Sequence, residues 1–265
     1  MAETALRDAV VGAGLLAGSA NVIMQLSRAP VGYGVLESKV DSGNLFRHPL
    51  KRTRTTLTYL AVATMGTDAE RAAYRRGVNQ AHAQVHSTAS SPVAYNAFDT
   101  DLQLWVAACL YKGFEDVYLA FVGGDPERFY GEAAALGTTL QVHPEMWPAD
   151  RAAFEEYWAA GLAEVGIDDT VRRYLTDIVD LRFVHPVLAA PARRFHRFVT
   201  TGFLPQRFRD EMRLPWTEAD QRRFDALLAA IGRVVKVLPP PLRRFPFNAC
   251  LWDLRWRLRT GRPPV

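Results

Sequence analysis

Apolar residues recur along this chain three and four positions apart, the spacing of a helix face. No run alternates apolar and polar residues between turn signals, as a half-buried strand would. Residues 217–238 show the helical pattern most cleanly. Thr217 stands as N-cap, Phe224, Leu227, Leu228, Ile231, Val234, Val235 and Leu238 share one face, and Pro239 to Pro241 stop the helix. A second helix is predicted over about 100–122, with Leu102, Trp105, Cys109, Phe114, Val117 and Phe121 on a broad apolar face. Gly123-Gly124 ends it, and Asp125-Pro126 opens the next. Thr67 with Glu70 forms a capping box for a helix running to about His86. Another spans Pro49 to Gly66 and carries Arg52, Thr55, Thr56 and Tyr59. Residues 179–192, rich in Pro, Val and Ala, read as an irregular connector between two helical groups. Without repeats or low-complexity segments, the pattern predicts an all-α chain folded as a single helical domain over 1–265.

Composition narrows the class. Hydrophobic residues are 49% and charged residues 23%, which excludes wholesale disorder. Net charge is +4, from 32 basic and 28 acidic side chains, and no segment is dense enough in Lys and Arg for a nucleic-acid stripe. Cys109 and Cys250 lie in the apolar runs VAACLY and NACLWD. They read as buried free thiols, which suits a cytoplasmic protein. The apolar stretch Ala9 to Leu26 could pass for a signal peptide or a membrane span. Glu3 and Asp8 against Arg7, with Asn21 and Gln25 inside the run, make it a buried helix instead. Its Gly12, Gly14, Gly18 and Ser19 suit close packing.

The candidate chemistry begins with His82 and His86, four apart near a helix end and hence on one face. Zinc would need a third ligand, and the Glu of a catalytic HExxH is replaced by Ala83. Haem needs only one axial imidazole. The competing explanation is that His simply suits the negative end of a helix dipole. His82 lies deeper in the helix than His86, which sits at the fraying end beside Ser87, so His82 is the better ligand candidate. Arg52, Thr55, Thr56 and Tyr59 fall at i, i+3, i+4 and i+7 and form one polar stripe, with Lys51 and Arg54 pointing to water. One guanidinium beside two hydroxyls suits a carboxylate such as a haem propionate; a solvated helix face is the alternative. His48, His143, His185 and His196 take loop-end or surface roles, and Glu37 reads as a surface acid rather than a general base. No Gly-x-Ser-x-Gly elbow, Walker loop, Rossmann fingerprint or CxxC pair occurs. The C-terminal stretch carries Arg243, Arg244, Arg255, Arg257, Arg259 and Arg262 with Trp252 and Trp256 interleaved. Such a mixture can make peripheral contact with an anionic membrane surface. The few apolar residues favour inward packing.

The run from Met24 to Arg54, the AHAQVH and YNAFDTDLQLWV segments, and the later GFLPQRFRDEMRLPWTEAD and PPPLRRFPF stretches together resemble the MpaB/rubber-oxygenase family, which includes the latex-clearing proteins. Order and spacing carry the resemblance more than any one motif, and it covers nearly the whole chain. It implies an all-helical, globin-like core that binds haem b through one axial His and cleaves carbon–carbon double bonds of isoprenoid chains with dioxygen. Carried over by position, His82 is the iron ligand, while Arg52, Thr55 and Thr56 form the basic-hydroxyl motif, Arg52 also contacting the cofactor. Latex-clearing proteins have Lys where this chain has Thr55, and their acidic residue aligns only loosely with Glu37. Where many relatives carry a His after the Trp of the LWV segment, this chain has Ala107. The expectation is a haem-dependent oxygenase of an apolar isoprenoid or lipid substrate. A haem-binding redox sensor or carrier and a haem-free lipid-binding module are the alternatives.

Overall fold

A computed structural model describes residues 6–265, and its regular structure is helical throughout; among these residues the only β pairing is a single bridge between His86 and Asn96. A 3-10 turn, Gly12–Ala17, leads into α1 (Gly18–Leu26) and α2 (Ala29–Leu36). Next come α3 (Pro49–Met65) and α4 (Asp68–His82). The long α5 (Thr100–Phe121) is followed by the short α6 (Glu127–Ala133) and α7 (Ala135–Thr138). Then follow α8 (Arg151–Ala163), α9 (Asp169–Val179), α10 (Pro186–Phe203) and α11 (Gln206–Met212). The chain closes with α12 (Glu218–Val237), α13 (Pro240–Arg243) and α14 (Phe247–Arg259).

The helix starts obey local chemistry. Thr67 and Glu70 exchange both capping-box bonds at α4, Thr217 does the same with Asp220 at α12, and Asp99 accepts from the Asp101 and Leu102 amides at α5. Gly123 and Gly124 end α5's neighbourhood at φ +81° and +111°, which a side chain would resist.

Burial organises the domain around α5. It packs against α1, α7, α12 and the first 3-10 turn. Trp105, Ala108, Cys109, Tyr111 and Phe121 on it are sealed from water. Trp158 stacks on Trp105 at 5.3 Å, while the Arg28 guanidinium covers Trp105 at 4.2 Å. On the far side Tyr111 meets Phe129, Tyr130, Trp147 and Phe154 edge-on or tilted. Most of the stretch Ala9 to Leu26 lies in this core, but as a 3-10 turn followed by α1 rather than one buried helix, and Leu15 and Gly18 are exposed. Gly14 lets Val117 approach, since a Cβ there would sit 3.1 Å from its Cγ1. Gly18 meets nothing and has no such role. Cys109 is buried, Cys250 half-buried, and both are free thiols. No described helix is long and apolar enough to cross a membrane.

Three sequence expectations change. The helix through 68 stops at His82 rather than about His86, because the chain turns to pair His86 with Asn96. Of residues 179–192, only 180–185 form the irregular connector, between α9 and α10. α10 begins at Pro186 and carries Pro191 within it, which is tolerated because this half of the helix is exposed and the carbonyl that loses its partner can bond water. Arg54 does not point freely to water but reaches Asp253 on α14 at 3.4 Å. That pair belongs to the seam where α14 lies on α3, with Phe247, Leu251 and Leu254 buried and Arg255 donating to Glu70 at 2.7 Å. The tail thus packs inward through Phe247, Leu251 and Leu254, while Trp252, Trp256 and Leu258 stay exposed.

Candidate functional site

α3 and α4 form an antiparallel hairpin that turns at Gly66 and Thr67. Arg52 and His82 lie about equally far from that turn, so the start of one helix meets the end of the other. Tyr74 ties the arms together by donating to the Thr55 carbonyl at 2.7 Å. The result is a cation and an imidazole side by side.

Arg52 keeps part of its surface in water, yet the protein packed around its guanidinium lowers its pKa by desolvation. Its Nη1 donates to the Thr56 hydroxyl at 3.1 Å, and that hydroxyl donates back to the Arg52 carbonyl at 3.1 Å. No carboxylate lies within ion-pair distance of it among the described residues; its charged or polar surroundings are the phenols of Tyr74 and Tyr174. Tyr174, from α9, gave no sign in the sequence, because the pairing spans nearly half the chain.

His82 is the last residue of α4. Its Nδ1 is buried and finds no hydrogen-bond partner, and the ring meets Phe98 edge-on at 6.2 Å. Burial lowers its pKa, and the Arg52 charge lowers it further, so the imidazole is neutral near pH 7. The other histidines differ. His48 binds Asp41 at 2.7 Å; His196, expected at the surface, is half-buried with Nδ1 on the Val179 carbonyl at 2.8 Å and Nε2 on Ser19 at 3.0 Å. His143 and His185 are exposed. Among the histidines of the described residues, a buried ring nitrogen left unbonded is seen only at His82.

The remaining sequence candidates separate. Thr55 bonds back to the Lys51 carbonyl at 2.9 Å, so its hydroxyl does not join the Arg52–Thr56 pair. Tyr59 donates to the Leu136 carbonyl and serves the seam with α7. His86 lies beyond the helix, exposed, with Nδ1 3.2 Å from the Ser87 carbonyl, and shares no helical face with His82. Glu37, at the end of α2, accepts from Ser91 at 2.6 Å and Tyr95 at 2.7 Å, and these bonds lower its pKa. It therefore clasps the loop that carries Phe98 toward His82.

Two surface clefts flank the hairpin without including Arg52 or His82. One of about 340 Å³ is lined by Glu70, Arg255, Leu258 and Arg259. The other, of about 220 Å³, lies between Lys51, Gly77, Ala81, Gln84 and the terminal Pro264 and Val265. No group of three or more His, Cys, Asp or Glu suited to a metal occurs among the described residues, so a metal held by protein ligands alone has no cage here. An iron that brings its own equatorial nitrogens and asks for one imidazole does not need such a cage. The donor set also supplies a cation for its carboxylates.

An all-helical domain in which an imidazole with one unbonded buried nitrogen lies beside a guanidinium without a carboxylate partner is the class that fold and site define. Residues 9–233 match the family described as ER-bound oxygenase mpaB/B'/Rubber oxygenase, catalytic domain, and the chain belongs to it. Among its relatives are two proteins of Mycobacterium bovis and Mycobacterium tuberculosis, both named as uncharacterized. Each is 51% identical over 252 residues, covering 94% of this chain and 99% of the relative. No solved structure matches the chain.

Proposed function

We propose that this member of an oxygenase family is a haem-dependent oxygenase of an apolar substrate, with His82 as the axial ligand. The observation that carries the reading is the half-buried imidazole of His82, whose Nδ1 is buried and unbonded and whose pKa burial lowers. A ring nitrogen that has lost water and gained no partner costs about 1–3 kcal/mol, a cost that ligation removes. Arg52 makes the complementary case: its guanidinium, without a carboxylate of the protein's own, suits a propionate.

Haem b supplies the iron centre for dioxygen chemistry when bound. The chain's residues do the rest. His82 is held on the end of α4 by the Thr67–Glu70 cap and the Tyr74 bond to α3. Thr56 fixes the Arg52 fork, and Phe98 covers one side of the imidazole edge-on. Phe98 sits on a loop whose one acidic clasp is Glu37, so the loop is the part that yields to admit a flat ligand. An isoprenoid or lipid double bond is taken as the substrate class in keeping with the rubber-oxygenase family to which the chain belongs.

The test is a hemin titration of the purified chain, read as growth of a Soret band. The expected outcome is one equivalent bound, lost in His82→Ala and kept in His86→Ala. Equal binding by both variants would overturn the ligand assignment. Oxygen uptake with a cleaved unsaturated product then separates an oxygenase from a haem carrier.

A further inference from the structure

Two long stretches of this chain contain no acidic residue, 181–209 and 226–252. Both are basic, and they fold against each other as α10 and α12 with α13 close by. We propose that the face they build docks on the surface of an anionic lipid bilayer.

The first half of α10 carries the argument. From Pro186 to Phe195 every residue but Ala189 is exposed, so this half stands clear of the core instead of burying one face. Its outward residues are nevertheless apolar: Val187 is 73% exposed and Leu188 66%. The neighbouring end of the fold repeats the pattern, with Val237 80% exposed on α12, Leu242 62% on α13 and Phe245 60% just beyond. These elements gather around one feature. The 3-10 turn Gly12–Ala17 packs against α10, α13 and α5, α12 packs against α10 and α5, and Leu15 on that turn is itself exposed. Single exposed aliphatic residues are ordinary; this many on adjoining elements are not.

Charge decides what covers the face. Arg182 and Arg197 are held by Asp177 and Asp180, and Arg244 by Asp8. Arg193, Arg194, Arg233, Lys236 and Arg243 have no carboxylate partner among the described residues; Arg233 reaches only the Ala229 carbonyl. A second copy of this chain would bring the same unpaired cations face to face. Nucleic acid would satisfy the cations and leave the aliphatic residues in water. An anionic bilayer takes both, with arginines at the phosphates and Val187, Leu188, Leu242 and Phe245 at the acyl boundary. The contact differs from one through α14, which buries Phe247, Leu251 and Leu254 against the domain and leaves Trp252, Trp256 and Leu258 exposed on another face. It also stands independently of the haem reading, while giving an apolar substrate a source.

The experiment is sedimentation of the full chain with vesicles of phosphatidylcholine alone or with a minority of phosphatidylglycerol, at low and high salt. Binding is expected to the anionic vesicles and to weaken with salt. Arg193→Glu with Arg194→Glu should weaken it roughly tenfold or more, since each basic side chain near such a surface contributes about 1 kcal/mol. Val187→Ser with Leu188→Ser should weaken binding at both salt concentrations. Both pairs lie on exposed turns, and unchanged circular-dichroism melts confirm that the variants fold. Trp252→Ser on α14 should bind as the parent does. No cosedimentation of the intact chain with anionic vesicles overturns the proposal, as does parental binding by both double variants or loss of binding in Trp252→Ser alone. A concentration-dependent dimer that Val187→Ser with Leu188→Ser abolishes would assign the face to a second copy instead.

Discussion

The Arg52 guanidinium and the Thr56 hydroxyl, one helical turn apart on α3, are joined at 3.1 Å and form a closed pair with the Arg52 carbonyl. A hydroxyl fixes the direction of a guanidinium without neutralising it. The charge is left to be met by something the protein itself does not provide among its described residues. That combination of fixed direction and uncancelled charge suits recognition of an anion more than support of a fold.

Replacement of Arg52 should therefore separate stability from binding. Removing a desolvated cation that has no counter-ion relieves a cost, and Met fills a similar volume. Arg52→Met is expected to leave the melting temperature of the haem-free chain unchanged or higher, while weakening hemin binding by roughly tenfold or more, the loss of one charge-assisted contact. A melt that falls by many degrees would mean the guanidinium is structural after all.

His82 gives a pH prediction whose sign follows from its lowered pKa. The unfolded chain binds a proton here near the ordinary histidine value of about 6.5, whereas the folded chain does so only at lower pH. Below about pH 6.5 the unfolded state holds the extra proton and gains relative to the native one, so native stability falls as pH falls toward the folded pKa. Above that window the contribution is constant. Urea midpoints of the haem-free chain between about pH 8 and pH 5 should decline less in His82→Gln than in the parent. An identical pH slope in the two proteins would show that His82 is not the buried neutral group described.

Much of this was legible in the residue pattern, and the reasons for success and failure are physical. The capping box at Thr67 and Glu70, the N-cap at Thr217 and the Gly123-Gly124 stop are local devices, so the sequence displays them whole. The closeness of Arg52 and His82 was legible because they lie on neighbouring helices with readable ends. The end of α4 was misjudged at His86, since the bridge to Asn96 that ends it is formed by residues ten positions on, outside any helical window. Phe98 and Tyr174 escaped notice for the same reason: their roles exist only once α5 and α9 have closed around the hairpin. Pro191 misled in the other direction, since it lies in the first turns of an exposed half-helix, where the cost of the proline is reduced by water at the freed carbonyl but not abolished.

Glu70 links the cap of α4 to α14, because its carboxylate accepts from the Thr67 amide at 2.8 Å and from Arg255 at 2.7 Å. Glu70→Ala loses both and should destabilise the chain by about 1–2 kcal/mol, mostly through the cap, because the partly exposed ion pair is worth less. Glu70→Gln keeps a cap acceptor and should cost under about 1 kcal/mol. The lowered Glu70 pKa means its share of stability is present above the ordinary glutamate range and is lost as pH falls through the folded value. Denaturation midpoints at neutral and acidic pH check both statements, and equal losses for the two substitutions would place the effect in the ion pair.

Two glycines within helices give opposite expectations for one substitution. A Cβ on Gly202 of α10 would overlap the ring of Phe224 on α12, a closeness that no small shift of a buried ring removes. Gly202→Ala should cost about 1–3 kcal/mol through overpacking, less the fraction of a kilocalorie that alanine gains in a helix. Gly131 of α6 is exposed, and a Cβ there meets nothing within 4 Å. Gly131→Ala should stabilise by about 0.4–1 kcal/mol, chiefly by narrowing the unfolded ensemble. Phe224→Leu added to Gly202→Ala tests the cause directly, because Leu removes the ring that the new methyl strikes. A double variant more stable than the sum of the two single losses shows steric conflict across the α10–α12 seam. A strictly additive result would locate the damage in the backbone of α10 instead.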